Sequence, residues 1–321
     1  MALRGHNAVP TLFDAGRQLG GRLTGAQFLT ASPGSRFQQV LEVLRAKNVI
    51  APWNARFGVI GSRGGGFLPK EVVDAGALER LNAMGRANGE GAPELDASGG
   101  DFCGFISRRT GLFVGTPSNL SVCAALVDPA IVRQQRVSVI RRVGAARWAV
   151  GDADSSDEFD AIVFAVHDPS LAALTVRHLV ESELADTAEA AIRSRMLDLA
   201  DTLQALRSER TAPLFTLQAS LETDARVPFD AAIVPTSALI QFVAREASKP
   251  GRADAAGSAA GELWTAVSTV AFAREMLRDE RADMEDVVAQ LLCSELSRLF
   301  APYDTCTLAD PARHRLCPRN G

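Results

Sequence analysis

The chain has 321 residues, of which 47% are hydrophobic and 22% charged, and its formal net charge at pH 7 is −4. This balance is typical of a soluble globular protein with one large or two ordinary domains, and it gives no reason to expect a nucleic-acid or anionic-membrane partner. The N-terminus has no apolar core of signal-peptide length. The apolar runs at 160–166 and 231–243 are too short and too interrupted to span a bilayer.

The cysteines are odd in number, scattered along the chain and free of any C-x-x-C pair. They are Cys103, Cys123, Cys293, Cys306 and Cys317. This pattern favours free thiols in the cytoplasm or another reducing compartment. The group formed by Cys306, His314 and Cys317 matches no zinc spacing, so we predict no metal site.

The N-terminal part of the chain predicts a short strand and then an amphipathic helix. After a possible helix end, residues 10–13 are typical of a strand, and this strand ends on Asp14. Residues 35–47 carry apolar side chains on one helical face, with Ser35 as N-cap. An extended segment follows, and then a Gly-rich polar stretch over 61–104 that has room for a helix or two.

The middle of the chain alternates between strand and helix patterns. A helix begins near Pro117 or Ser118, and two strands at 137–143 and 146–150 are joined by a Gly-Ala turn. The continuous apolar run at 159–166 predicts a strand covered on both faces, as in a parallel sheet. Long helical patterns occupy 170–184 and 187–206.

The C-terminal third predicts an antiparallel sheet and a long helix. Strand patterns occur at 212–222, 229–235 and 262–273, and an amphipathic helix with an acidic first turn occupies 283–300. The predicted fold class is therefore α/β combined with α+β. A Rossmann-like cofactor domain is interleaved with an antiparallel-sheet domain.

Asp14 and the glycines that follow it suggest a nucleotide contact. In dinucleotide-binding folds, an acid at the end of the second strand accepts hydrogen bonds from ribose hydroxyls. Gly20 and Gly21 would let the backbone approach a cofactor, and the Arg22 guanidinium suits a phosphate. An acid and two glycines are also common in ordinary turns, which is the competing interpretation.

Several motifs, taken in order along residues 12–314, strengthen the first interpretation. They are LFDAGRQLGGRLT, GAQFLTA, FQQVLEVLRAKNVIAPW, FVGTPSNLSVCAAL, RVSVIRRVGAARWAV, FDAIVFAVHDPSLAAL and FVAREASKPGR. This ordered set resembles the renalase-like branch of the flavin amine oxidase superfamily, most specifically at 20–22, 25–28 and 248–252. The resemblance implies non-covalently bound FAD and hydride transfer from a reduced small molecule to flavin, then to oxygen. That molecule would be a dihydronicotinamide isomer or an amine.

The resemblance also assigns cofactor contacts, although it names no catalytic residue. Asp14 would meet the ribose, Gly20, Gly21 and Arg22 the diphosphate, and Val137 the adenine, while Ala165 to Pro169 would close over the adenosine. Gly25, Ala26 and Gln27 would lie beside the flavin.

Two further residues are placed near the substrate pocket, namely Trp53 and Lys249. Each of these assignments has a structural alternative. Val137 suits a strand core, Pro169 the first position of a helix, Trp53 a buried aromatic and Lys249 a loop.

The predicted domains follow the same template. An incomplete FAD-binding domain takes residues 1–34, 105–170 and 300–321, and the substrate domain takes 35–104 and 171–299. The sequence does not indicate the oligomeric state.

Departures from the family pattern leave the function open. The expected G-x-G-x-x-G turn does not precede Asp14, and the C-terminal flavin-contacting segment is not recognisable. Losing two or three charge-assisted hydrogen bonds of about 1.5–3 kcal/mol each would weaken FAD binding roughly a thousandfold or more. We therefore expect either an FAD enzyme or a flavin-free, non-catalytic or truncated relative. A nicotinamide-nucleotide, NAD(P), binder is a third possibility.

Overall fold

The structure of the protein is a computed structural model, and it describes the chain with several gaps. The described residues are 8–16, 19–61, 66–73, 76–77, 79–80, 82–83, 111–144, 147–165, 169–182, 190–210, 213–222, 227–252, 262–278, 283–303, 307–308 and 315–319. Most of the Gly-rich stretch at 61–104 therefore lies outside the described residues, as do His167 and His314.

Helices and strands alternate along these residues. The α-helices are α1 (Arg36–Ala46), α2 (Leu120–Leu126), α3 (Pro169–Ser182), α4 (Ala190–Arg210), α5 (Val270–Met276) and α6 (Met284–Phe300). The N-terminal strands are β1 (Leu12–Phe13), β2 (Ile50–Pro52), β3 (Phe57–Ile60), β4 (Phe67–Pro69), β5 (Phe113–Gly115), β6 (Val132–Arg133), β7 (Val139–Val143), β8 (Arg147–Gly151) and β9 (Ser156–Phe159). The C-terminal strands are β10 (Leu214–Glu222), β11 (Ala231–Ile233), β12 (Ile240–Arg245), β13 (Glu262–Ser268), β14 (Thr307–Leu308) and β15 (Arg315–Arg319).

The chain forms two compact units, each built from separated stretches. The first unit comprises Met1–Leu19 and Val127–Ala212 with Gly321, and the second comprises Gly20–Leu126 and Pro213–Asn320. These boundaries differ from the predicted domain boundaries. The division into a cofactor domain and a substrate domain therefore stays a prediction.

An eight-stranded sheet forms the centre of the second unit. Its order is β14-β10-β13-β12-β11-β3-β4, and β15 also pairs with β10. The β10–β13, β13–β12 and β12–β11 pairs are antiparallel, whereas β11 runs parallel to β3. The sequence predicts an antiparallel sheet here but no strand at β12, and the strand predicted at 262–273 ends at Ser268, before α5.

The two faces of this sheet carry different side chains because residues alternate along each strand. One face contains Phe215, Leu217 and Trp264, which form a core with apolar residues of α6 such as Leu296 and Phe300. The opposite face, called the site face below, carries an apolar cluster of its own. That cluster includes Trp53, Phe57, Val59, Ala231, Ile233, Phe242, Ala244 and Val267.

The helix predicted at 35–47 is confirmed as α1, with the expected cap. The Ser35 hydroxyl accepts a hydrogen bond of 3.2 Å from the backbone N–H of Gln38. Leu41 and Leu44 are buried against Ile50 and Val122. The predicted apolar face is therefore buried at Leu41 and Leu44, whereas Phe37, which the pattern also places on that face, is 44% exposed.

The first unit contains smaller sheets and a helix pair. β1 runs parallel to β6, and β7, β8 and β9 form an antiparallel sheet. α3 and α4 confirm the two helices predicted after residue 169. The mixture of α/β and α+β structure is thus present, while an incomplete Rossmann-like domain stays a prediction.

The buried strand predicted at 159–166 is wrong in this structure. β9 ends at Phe159, and residues 161–165 form no strand. Val163 is 81% exposed and Phe164 38% exposed. The apolar run is typical of a strand with neighbours on both edges, but no described strand pairs with it.

Further observations concern membrane spanning, metal binding and the cysteines. None of the helices within the described ranges has the length and apolar composition needed to cross a membrane. The same ranges contain no group of three or more His, Cys, Asp or Glu residues placed to hold a metal ion. Cys123 and Cys293, both within the described residues, form no disulfide bond.

We predict that Gly58→Ala destabilises the protein, whereas Gly66→Ala does not. A Cβ at Gly58 would lie 2.0 Å from the backbone oxygen of Leu68 on β4, whereas one at Gly66 meets nothing within 4 Å. Overpacking of this kind costs about 1–3 kcal/mol. Urea unfolding of both variants measures the difference, and equal unfolding midpoints would contradict the close approach of β3 and β4.

Candidate functional site

A tight turn after β12 buries a lysine beneath the site face. The 3-10 helix Glu246–Ser248 begins at the end of the strand, and Gly251 then adopts a positive φ of 75°. Lys249 lies between them and is only 1% exposed. Its Nζ donates hydrogen bonds to Gln27 Oε1 at 2.7 Å and to Glu246 Oε1 at 2.5 Å.

Glu246 is the anion around which this cluster forms. It is 5% exposed, and besides Lys249 it accepts hydrogen bonds from Thr265 Oγ1 at 2.6 Å and from the Arg252 guanidinium. Burial alone raises the pKa of Glu246, but the charge and hydrogen bond of Lys249, with Thr265 and Arg252, outweigh it. The pKa therefore stays below its ordinary value, and the carboxylate is ionised at neutral pH.

Lys249 is a buried cation, and the loss of hydration disfavours its charged form. Its pKa is lowered from the ordinary 10.5 to about 8, mainly because burial disfavours the charged form. Like-charge repulsion from Arg252 contributes to this lowering, and the charge and hydrogen bond of Glu246 partly offset it. Near neutral pH the three residues together carry one net positive charge in a poorly solvated place.

Three aromatic side chains lie on one side of Lys249, namely Trp53, Phe57 and Phe28, and are called the aromatic wall below. The indole Nε1 of Trp53 donates to Ser248 Oγ at 3.1 Å, and Lys249 Nζ lies 5.3 Å from the Trp53 ring centroid. Phe57 meets Trp53 edge to face, with ring centroids 4.9 Å apart. Phe28 is half-buried, 6.4 Å from Trp53 between centroids. Trp53 and Phe57 are buried in the apolar cluster of the site face, and Phe28 packs against that cluster.

The segment at residues 25–27 is fixed from its other side by Asn119. This residue is 1% exposed and lies just before α2. Its Nδ2 donates to the Ala26 carbonyl at 2.5 Å, and its Oδ1 accepts from the Gly115 N–H at 2.8 Å. The Gln27 amide also donates to the Gly25 carbonyl at 3.3 Å, so both ends of that side chain are oriented.

The two glycines of the predicted phosphate turn differ in their surroundings. Gly20 has a φ of 101°, and a Cβ there would lie 3.0 Å from Leu120 and 3.1 Å from Cys123. Close contact with α2 alone thus accounts for Gly20. Gly21, in contrast, has open space beside it, since a Cβ at this position would meet nothing within 4 Å. The side chain of Arg22 lies outside the described part of the chain.

The predicted adenosine-side residues lie in the first unit. Asp14 directly follows β1, and its N–H donates to the Arg133 carbonyl at 2.9 Å. Its Oδ1 accepts from the Gly16 N–H at 2.8 Å. Val137 is half-buried just before β7, while Ala165 is exposed, in keeping with the absence of the predicted strand.

Pro169 is the first residue of α3, which is the structural role that the sequence also allowed. The cofactor contacts predicted for Asp14, Val137, Ala165 and Pro169 stay predictions. So do those of Gly20, Gly21, Arg22, Gly25, Ala26 and Gln27.

The structure brings together three residues of the second unit that were predicted separately, namely Gln27, Trp53 and Lys249. Sequence reasoning did not select Glu246 or Asn119 as site residues. For Glu246 a usable signal existed, because an acid three residues before Lys249 faces it across one helical turn. Asn119 gave no signal of its own, since Asn after a Pro-Ser pair is common in turns.

No family model matches the sequence, and no curated protein matches it. Solved structures do resemble it in fold. An oxidoreductase from Methanosarcina mazei is 12% identical, with a TM-score of 0.53 over 99% of this chain and 84% of that chain. Cyclohexylamine oxidase from Brevibacterium oxydans is 12% identical, with a TM-score of 0.53 over 99% and 80%. Putrescine oxidase bound to putrescine is 13% identical, with a TM-score of 0.51 over 96% and 81%. The chain therefore shares the fold of these oxidoreductases.

We predict that Lys249 makes the stability of the protein rise between about pH 8 and pH 10.5. In this window the folded protein has released the Lys249 proton while the unfolded chain still holds it, so raising the pH favours folding. Lys249→Met should remove this contribution. Chemical unfolding at pH 7 and pH 9.5 measures the change, with exposed Lys47→Met as the control. An unfolding free energy that has the same pH dependence in both variants would contradict the burial of a charged Lys249.

Proposed function

We propose that the protein is an FAD-dependent oxidoreductase of the flavin amine oxidase type. Its renalase-like resemblance places Gln27 beside the flavin and Trp53 and Lys249 at the substrate. One observation carries the proposal. Lys249 Nζ donates to Gln27 Oε1 at 2.7 Å and lies over the Trp53 ring, so these three residues form one cluster. The fold shared with cyclohexylamine oxidase and putrescine oxidase supports the same reaction class.

The residues present fit FAD in part. The Asp14 carboxylate uses Oδ1 for the Gly16 N–H, and no other donor among the described residues binds it, so it could accept from ribose hydroxyls. The open side of Gly21 leaves room for a phosphate to approach the backbone. Arg22 follows Gly21 in the same 3-10 helix, Gly21–Gly25, and would supply the positive charge for a diphosphate.

When bound, the flavin would supply the hydride-accepting and oxygen-reducing chemistry. The chain itself would supply position and electrostatics. Asn119 and Lys249 hold the 25–27 segment from both sides, so that its backbone and the Gln27 amide keep one orientation. Trp53 and Phe28 would exclude water from the same side.

The substrate in this proposal is a small molecule. The renalase-like resemblance favours a dihydronicotinamide isomer, and the shared fold with amine-oxidising enzymes keeps an amine as the alternative. A location in the cytoplasm or another reducing compartment remains part of the proposal, because it rests on the cysteine pattern alone.

A flavin-free protein of the same fold is the second candidate. The mostly exposed segment at 161–165 and the two-residue strand β1 favour it, because nucleotide-binding sheets normally have longer, covered strands. Such a protein would keep the site face and bind a small molecule, including a nicotinamide nucleotide, without redox chemistry.

We predict that the purified protein acquires a flavin absorbance spectrum when FAD is added. Asp14→Asn should weaken FAD binding about tenfold to a hundredfold, because hydrogen bonds to a charged group contribute about 1.5–3 kcal/mol. Titration followed by visible absorbance and flavin fluorescence gives the affinity. Asp160→Asn is the matched control, since Asp160 is an exposed acid of the same unit.

Bleaching of the bound flavin by a dihydronicotinamide isomer or an amine, without oxygen, would then identify the substrate class. A protein that stays colourless with excess FAD would contradict the proposed function and favour the flavin-free candidate.

A further inference from the structure

The aromatic wall of the site face is bordered by more cations than anions. Lys249 lies over Trp53, and Lys70 Nζ lies 5.1 Å from the ring centroid of Phe57. Arg252 joins Lys249 through the shared carboxylate of Glu246. These groups sum to three positive charges and one negative charge at neutral pH.

Glu246 cannot serve as the counterion of a positively charged ligand. One of its oxygens accepts from Lys249 and Thr265, and the other accepts from Arg252. Its side chain is only 7% exposed. A substrate ammonium group would therefore be a fourth cation, and the cluster has no unoccupied carboxylate to pair with it. Like charges in a poorly solvated site repel strongly.

Arg252 is the member of the cluster that a ligand can reach. Its side chain is 16% exposed, whereas that of Lys249 is fully buried. One guanidinium nitrogen donates to Glu246, and within the described ranges no other acceptor holds the rest of the group. A guanidinium has five N–H donors in a fork that matches the two oxygens of a carboxylate or phosphate.

We propose that the substrate of this site carries an organic oxyanion, which Arg252 binds beside the Lys249–Glu246 pair. This inference rests on the proposed function, because it names the substrate class of the same site. Glu246 balances only one of the three cations. An oxyanion would neutralise part of the remaining positive charge, whereas a simple cationic amine would increase it. A carboxylate and a phosphate share this chemistry, so the test distinguishes them.

The test uses three probes that share an aromatic ring and differ in charge. They are benzoate, phenyl phosphate and benzylamine. Isothermal titration calorimetry on the full chain, with and without added FAD, gives each affinity. We expect at least one oxyanion to bind about tenfold or more tightly than benzylamine, and the tighter of the two identifies carboxylate or phosphate.

Variants assign the effect to Arg252. Arg252→Gln should reduce oxyanion affinity about tenfold or more, and Arg252→Lys should retain part of it, because the charge remains while the fork is lost. Arg298→Gln is the matched control. It also removes an arginine bonded to a glutamate in the second unit, at Glu295. Thermal unfolding confirms that each variant is folded.

Two results would overturn the inference. Benzylamine could bind as tightly as both oxyanions, or oxyanion affinity could be the same in Arg252→Gln and in the unaltered protein. FAD binding is followed by absorbance in the same samples, so a failure of the flavin proposal is visible independently. Oxyanion binding that depends on Arg252 in a colourless protein would support the inference and contradict the proposed redox function.

Discussion

The buried carboxylate of Glu246 is the constraint on which the site depends. A carboxylate removed from water is costly unless charged or polar donors replace the lost hydration. Lys249, Arg252 and Thr265 all point their donors at it. The turn after β12 is thereby tied to β13, and the lysine that completes the arrangement reaches Gln27.

This arrangement gives the site face two properties that neither strand pairing nor apolar packing would supply. The 25–27 segment is held in one orientation between Lys249 and Asn119, and a surplus of positive charge lies beside an aromatic wall. A flavin enzyme requires the first property, because the cofactor performs the redox step and the protein positions the reacting groups. In our proposal, the second property would select among substrates by charge.

Local periodicity predicted the elements whose environment is regular. The spacing of Leu41 and Leu44 predicts α1, and the strand-like pattern of residues 212–222 predicts β10. In both segments the positions of the apolar residues indicate which face is buried. The run at 159–166 was misjudged, since an apolar stretch does not reveal whether neighbouring strands exist to cover it. For Glu246, the nearby Lys249 indicates an ion pair but not burial. The further contact with Thr265 is nineteen residues away, and no local pattern shows it.

In our proposal, the cluster around Gln27 and Lys249 faces a bound flavin. A crystal structure of the protein grown with FAD would show whether it does. We expect isoalloxazine density in van der Waals contact with the 25–27 segment, with Lys249 still donating to Gln27. Density for the flavin elsewhere in the molecule, or none at saturating FAD, would contradict it.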